Sequence, residues 1–410
     1  MAKKELALLT LQSLVYLPIL IFLTKGTVIV LAIVVICGLV YARSWPRFRP
    51  LTAWTFLLVT GALSAIWSIT PGQSLERAVK FGLLLLLLGA LMHVVSRWTD
   101  ADRRYLVDMG LKAWWISLVV MLPILIFEAE VRSTVASMFS SKEMQHMVMA
   151  RKPISNNAVI ILVVTAFPLL GHAISGGWAK RYVFLSLAGL FVAVYLSGST
   201  SALLGLSAGL AVWCLYARFD RVMAKALTIA LPLAMLSMPV LIYPMANNPE
   251  PIARNIPNFP NSFIHRLLIW DFTLERISER PLLGWGLDTS RAIPGGTELR
   301  PIHFVVPWSD TPLMHPDQNL PLHPHNAVLQ IWLELGLLGV IVAMIAVWNL
   351  LRTQLVSRTG GPMAGFIVCA MAIYCVAFGL MQSWWLALLF LTWAAVKAGQ
   401  PSENHTKVDR

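Results

Sequence analysis

The sequence predicts an all-α polytopic membrane protein, and three observations carry that prediction. Of the 410 residues, 57% are apolar and only 13% are charged, where soluble domains run near ~25% charged. Apolar runs long enough to cross a bilayer recur along the whole chain. Lys and Arg crowd into alternate connections between those runs, as they do when a chain is threaded through a membrane.

Twelve spans are predicted, at about 6–23, 27–42, 51–69, 79–96, 106–127, 156–175, 182–198, 201–217, 226–246, 326–350, 362–380 and 384–397. Each must be a helix, because backbone groups in lipid have no water to bond, and a barrel would show alternating segments of about ten residues instead. The first span follows Lys3 and Lys4 with no small-residue cleavage site, so it reads as a retained anchor. The chain then divides into spans one to nine (1–246), a large exported loop (247–325), spans ten to twelve (326–398) and an interior tail (399–410).

Charge gives the orientation. With both ends inside, the interior segments hold 18 Lys/Arg against six acids, and the exported segments 13 against 12. The opposite topology would reverse the positive-inside pattern. The net charge of +12 therefore reflects membrane orientation, and no separate basic domain points to a nucleic-acid partner. Cys37, Cys214, Cys369 and Cys375 all fall in apolar spans without metal or redox spacing.

Two exported segments are long enough to hold a site, about 128–155 and about 247–325. Structureless loops of the second length are uncommon in compact proteins and are usually functional. Within it, Phe263, Leu267, Trp270, Leu274 and Ile277 recur at helical spacing, which predicts an amphipathic helix over about 262–280 lying in the membrane interface. Pro281 ends it, PLLGWG (281–286) makes a turn, and the Pro-rich stretch 291–324 reads as irregular.

His325 is the strongest candidate for chemistry. It stands where the irregular loop enters the tenth span, with Asn326 as N-cap. The positive end of the helix dipole disfavours imidazolium, and a neutral ring suits a general base. The plainer reading is an interfacial histidine that only closes the helix. Beyond it, Asn326, Gln330 and Glu334 are spaced i, i+4, i+8 and form one polar stripe on an apolar helix. Glu334 lies about 12 Å below Asn326 at 1.5 Å per residue. A carboxylate at that depth faces the bundle interior or a wet cavity, either at a functional site or in a helix-packing pair. His303, His315, His323 and His325 fall within 23 residues, with Asp310 and Asp317 among them, but their spacing matches no tight zinc pattern. No metal or other cofactor is expected. Arg266 has Ser262, Phe263, Ile269 and Trp270 at i±4 and i±3, so no acid stands at helical spacing. It either snorkels to lipid phosphate or grips a diphosphate through its fork of donors. Arg151, Arg291 and Arg300 are weaker candidates of the same type.

Three stretches together resemble the O-antigen ligase and polymerase superfamily. HNAVLQIWLELGLLG (325–339) resembles its His-Asn, Gln and Glu-Leu-Gly signature. RLLIWDFTLERISERPLLGWGLD (266–288) resembles its Arg–Trp–Pro–Leu–Gly–x–Gly segment, and SAIWSITPGQSLERA (64–78) its Trp-Ser…Ser-Leu-x-Arg-Ala motif. The resemblance implies a GT-C-like membrane enzyme of the bacterial inner membrane with a periplasmic site and cytoplasmic termini. It implies a donor glycan on undecaprenyl diphosphate and, in ligases, a sugar hydroxyl of lipid A-core as acceptor, with no metal or nucleotide. By this resemblance His325 is the base and Arg266 a diphosphate ligand. Arg151, Arg291, His323, Asn326, Gln330 and Trp270 are the expected substrate contacts. One departure stands out: GSTSALLG (198–205) lacks the arginine that family members often carry at the end of a middle span, and Arg151 is its expected substitute. A polymerase or protein O-oligosaccharyltransferase of the same superfamily is the runner-up. A polyisoprenoid-glycan transporter is the reading from another class.

Overall fold

The computed structural model describes residues 24–42, 52–138, 141, 145, 154–247, 261–304, 313–355 and 360–398. Helix follows helix: α1 (Thr27–Ala42), α2 (Thr52–Leu63), α3 (Pro71–Arg97), α4 (Asp100–Ile126), α5 (Glu128–Ser137), α6 (Ile154–Ser175), α7 (Lys180–Ser197), α8 (Thr200–Arg218), α9 (Asp220–Ala246) and α10 (Asn261–Glu279). A two-stranded sheet, β1 (Leu299–Phe304) and β2 (Leu313–Gln318), precedes α11 (Ala327–Gln354), α12 (Gly360–Tyr374) and α13 (Ser383–Ala398). Seven of these helices (α3, α4, α6 to α9 and α11) are long and apolar enough to cross a membrane, and α1, α2, α12 and α13 are shorter apolar helices. The protein is an all-α polytopic membrane protein. The first predicted span, 6–23, lies outside the described residues.

Local chemistry sets several of the ends. Pro71 opens α3 at its first turn, where a missing N–H costs nothing. A capping box opens α4, with Thr99 Oγ1 accepting from Asp102 N at 3.1 Å and Thr99 N donating to Asp102 Oδ2 at 3.2 Å. At the centre stands α6, buried all round over 158–164 and packed by α4, α7, α8, α12 and α13. Trp114 on α4 donates its indole N–H to the Leu162 carbonyl at 3.0 Å. α8 and α12 approach backbone to backbone, so that a Cβ on Gly209 would fall 2.7 Å from the Gly365 carbonyl oxygen. Small residues at such crossings are how membrane helices gain packing without a hydrophobic drive.

Three expectations need correction. The span predicted for 362–380 ends at Tyr374, because the 375–382 segment is recruited elsewhere: Leu380 N donates to Gln330 Oε1 at 2.7 Å and Tyr374 Oη bonds the Leu380 carbonyl. The stretch 291–324 is not wholly irregular, since β1 and β2 pair antiparallel from Leu299↔Gln318 to Phe304↔Leu313. Pro301 stands opposite Pro316 in that register, and prolines, which donate nothing to a ladder, hid the strands in the sequence. The apolar stripe of α10, expected to lie in the membrane interface, packs on protein. Leu267, Trp270 and Ile277 are buried with Ile242 and Ala246 of α9, Leu329 and Leu333 of α11, and Trp285.

Candidate active site at the break in helix α11

α11 is not continuous. Gly336 (φ 60°, ψ −161°) interrupts it two turns below its start, which frees carbonyls and N–H groups that must be satisfied inside a membrane protein. The PLLGWG turn supplies them. Trp285 N donates to Leu333 O at 3.0 Å and Gly286 N to Glu334 O at 2.8 Å, while Leu337 N donates to Pro281 O at 2.8 Å and Leu338 N to Leu282 O at 3.1 Å. The two backbones lie so close that only glycine fits. A Cβ on Gly284 would fall 2.6 Å from the Glu334 carbonyl oxygen, and one on Gly336 2.6 Å from the Leu283 nitrogen.

The connection between α2 and α3 clamps the same turn from its other side. Ser64 Oγ accepts from Leu287 N at 2.9 Å, Ser74 Oγ donates to Leu287 O at 2.6 Å, and Trp67 donates its indole N–H to Leu283 O at 3.0 Å. Arg77 closes the clamp on Asp288 at 2.8 Å. The three stretches recognised in the sequence therefore converge on one knot.

Glu334 sits in that knot, fully buried. Its oxygens accept from Ser290 Oγ at 2.6 Å, Asp288 N at 2.7 Å and Gln330 Nε2 at 2.8 Å. These are the partners that helical spacing alone could not name, because two of the three come from the loop.

His325 stands above the knot in a left-handed conformation, φ 53°. Asn326 caps α11, its Oδ1 accepting from Val328 N at 3.0 Å and Leu329 N at 3.1 Å. The His325 backbone N–H donates to His323 Nδ1 at 3.1 Å, and His325 Nδ1 lies 2.9 Å from the Ala377 carbonyl oxygen. A carbonyl oxygen only accepts, so Nδ1 carries the proton and the neutral ring keeps its lone pair on Nε2. His323, with its ring centroid 4.4 Å from that of His325, has its own Nδ1 occupied as acceptor. Burial first, then the neighbouring His325 and Arg291, pushes its pKa down to about 3.

Trp270 holds the entry loop by donating its indole N–H to Pro324 O at 2.8 Å. One turn earlier on α10, on the same side, half-buried Arg266 has its pKa lowered by burial. Arg291, on the short 3-10 turn Ser290–Ala292 next to the Glu334 partner Ser290, is exposed and acts on His323. Arg300 pairs with Asp271 at 2.9 Å and His265 with Asp317 at 3.3 Å, tying the hairpin to α10. Asn326, Gln330 and Trp270 thus have polar atoms engaged in holding backbone around His325. Arg151 and Asp310 lie outside the described residues, as do the side chains of His303 and His315. Among the described residues no three His, Cys, Asp or Glu side chains gather as a metal set. Sequence reasoning missed Ser64, Ser74, Asp288 and Ser290 as members of this assembly. Ser64, Ser74 and Asp288 lie within the stretches quoted for the resemblance, and Ser290 carried no signal.

Residues 184–344 match the model of the family described as O-antigen ligase, a stretch that takes in α10, both faces of the α11 break and His325. Over this region the chain is similar to the O-antigen ligase family. It is also similar to proteins named as candidate polysaccharide ligases in three rickettsiae. Identity is 28% over 230 residues with one from Rickettsia conorii, covering 55% of this chain and 53% of that protein. It is 30% over 194 residues with one from Rickettsia prowazekii, 47% and 45% of the two chains, and 26% over 230 residues with one from Rickettsia felis, 55% and 54%. The chain thus spans about half the length of the curated relatives it matches. No solved structure matches it.

Proposed function

We propose that this protein is a member of the O-antigen ligase superfamily and transfers a glycan from undecaprenyl diphosphate to a sugar hydroxyl of lipid A-core, at the periplasmic face of the inner membrane, with both termini cytoplasmic. The observation that carries this reading is the fixed tautomer of His325: Nδ1 is committed to Ala377 O, so Nε2 is the basic nitrogen, presented where α11 meets the exported loop. In the reaction, the acceptor hydroxyl oxygen attacks the anomeric carbon and gives its proton to His325 Nε2. The bond from that carbon to the diphosphate oxygen breaks, and its electron pair leaves on the diphosphate. Arg266 and Arg291 balance the departing charge, together with the α11 N-terminus. One displacement without an enzyme nucleophile inverts the anomeric centre. Since the leaving group is already activated and cations are at hand, the scheme needs no metal.

The lipid-linked donor has support in the fold. An apolar cavity of about 550 Å³ begins at Ala327 and Val328, two residues past His325, and is walled by Phe81 and Leu85 of α3, Met371 of α12 and Leu386 near the start of α13. A polyisoprenoid tail can lie there while its diphosphate stays at the exported end.

The test is turnover of donor lipid by purified protein, read as release of undecaprenyl diphosphate. His325→Ala is expected to lower it by about 10²–10⁴-fold with the fold intact, and wild-type turnover by the variant would remove His325 from the chemistry. Mass analysis of lipopolysaccharide from cells lacking the protein distinguishes the sister activity. Bare lipid A-core with retained long lipid-linked polymer identifies a ligase, and core capped with single repeats a polymerase.

A further inference from the structure

The exported end of α10 carries a second concavity, on a different face of the helix from Arg266 and Trp270. A cavity of about 560 Å³ opens between the last turns of α10, the 294–295 turn and the first residues of β1. Its wall presents two guanidinium groups (Arg276, Arg300), two carboxylates (Glu275, Glu298) and the amide of Asn319, beside Phe272.

Several of these groups are held in place. Arg276 lies over the Phe272 ring, Cζ 5.2 Å from its centroid, and pairs with Glu279 at 2.8 Å. Arg300 is fixed by Asp271 at 2.9 Å, and Asn319 donates its amide to Gly295 O at 3.0 Å. One donor is unmet: Nε of Arg276 is buried without a hydrogen-bond partner among the described residues.

Both guanidinium groups are already paired, Arg276 with Glu279 and Arg300 with Asp271, which disfavours a phosphate anion, and among the described residues no set of metal-ligating side chains gathers here. Planar donors and acceptors set side by side suit a neutral polyhydroxylated molecule, each of whose hydroxyls donates and accepts at once. Arg276 lies ten residues beyond Arg266, roughly 15 Å along the helix. A glycan whose reducing end is held near Arg266 reaches this wall only some way along its length.

We propose that this cavity is a glycan subsite that holds a distal segment of the transferred polysaccharide, away from the sugar that reacts. The proposal rests on the glycan-transfer reading above. Its test uses the full chain in detergent and, as probe, the soluble polysaccharide released by mild acid from the lipid-linked donor. Glu298 is exposed, so Glu298→Gln and Glu298→Arg leave the packing intact. Titration followed by saturation-transfer NMR is expected to show wild-type binding, weakened several-fold in Glu298→Gln and ten-fold or more in Glu298→Arg. In turnover, both variants are expected to raise KM for a long-glycan donor with kcat unchanged, and to leave a single-sugar donor unaffected. No binding by wild type, equal binding by the variants, or an equal loss on both donors overturns the subsite. If wild type binds the polysaccharide with this dependence yet turns over neither donor, the subsite stands and the transfer reading falls.

Discussion

The carboxylate of Glu334 and the hydroxyl of Ser290 meet at 2.6 Å, which joins the interior of an apolar helix to the loop between α10 and β1. The same carboxylate takes the Asp288 N–H at 2.7 Å, and Asp288 in turn pairs with Arg77 of α3. Ser290 opens the short turn that carries Arg291. A buried acid thus fixes, through two hydrogen bonds, where a cation of the proposed site stands.

Glu334→Ala should therefore act on stability and geometry together. It strips acceptors from three buried donors, and each unmet donor costs about 1–3 kcal/mol. Glu334→Gln keeps an oxygen for Ser290 and Gln330 but turns an amide N–H₂ toward the Asp288 N–H. The expected order of thermal stability in detergent is wild type, then Gln, then Ala, with turnover falling in the same order. A Gln variant as stable as wild type would show that the negative charge is dispensable to the knot.

Gly336→Ala tests the break in α11. The added Cβ meets the backbone of Leu282 and Leu283, and alanine at positive φ adds strain of about 1–3 kcal/mol. The variant should insert poorly or unfold at much lower temperature. Gly72→Ala, in the first turn of α3 with nothing within 4 Å of its Cβ, should be neutral or slightly stabilising. Comparable loss in both variants would mean that the close approach at Gly336 is not what matters.

Much of this architecture was legible in the sequence, because lipid enforces apolar helices and leaves composition as the record. The Asn326 cap was legible as well, and with it the place of His325 at the helix start, since a helix start preceded by His-Pro-His-Asn has few local alternatives. Glu334 was visible as an anomaly but not as a joint. Two of its three partners lie more than 40 residues away in sequence, and one of those is a backbone N–H, which no side-chain pattern reports. The Ala377 carbonyl that sets the tautomer of His325 was invisible for the same reason, and it exists only because α12 stops at Tyr374. The hairpin was concealed by prolines. The apolar stripe of α10 was visible, but hydrophobicity does not say whether lipid or protein covers it.

His323 makes the fold sensitive to acid. Its pKa lies near 3 in the folded protein against about 6.5 when unfolded. Between those values the unfolded chain takes up a proton that the folded chain refuses, so stability falls as pH drops from about 6.5 toward 3. The contribution is fully present above that window. His323→Gln removes the titration and keeps an acceptor for the His325 N–H. Melting curves at pH 7.5, 5.5 and 4.5 should therefore show the variant gaining on wild type as pH falls. Parallel curves would mean that the His323 ring protonates freely in the folded state.

Arg266 separates diphosphate recognition from lipid snorkelling. It lies one turn from Trp270, whose indole holds Pro324 beside the His325 loop, and burial already opposes its charge. A cation kept in such a place is useful where an anion arrives to share it. If the guanidinium grips a diphosphate through its fork, lysine keeps the charge but loses the two parallel donors. Arg266→Lys should then remain clearly impaired, and Arg266→Ala should be worse, with turnover of donor lipid down by about tenfold or more if two charge-assisted bonds are lost. If the side chain only reaches for lipid phosphate, lysine should serve nearly as well and alanine should cost little. The measurement belongs in detergent with purified protein, where anchoring to a bilayer no longer contributes. Full turnover by the alanine variant there would take Arg266 out of the site and leave Arg291, placed by Ser290 and Glu334, as the cation facing the diphosphate.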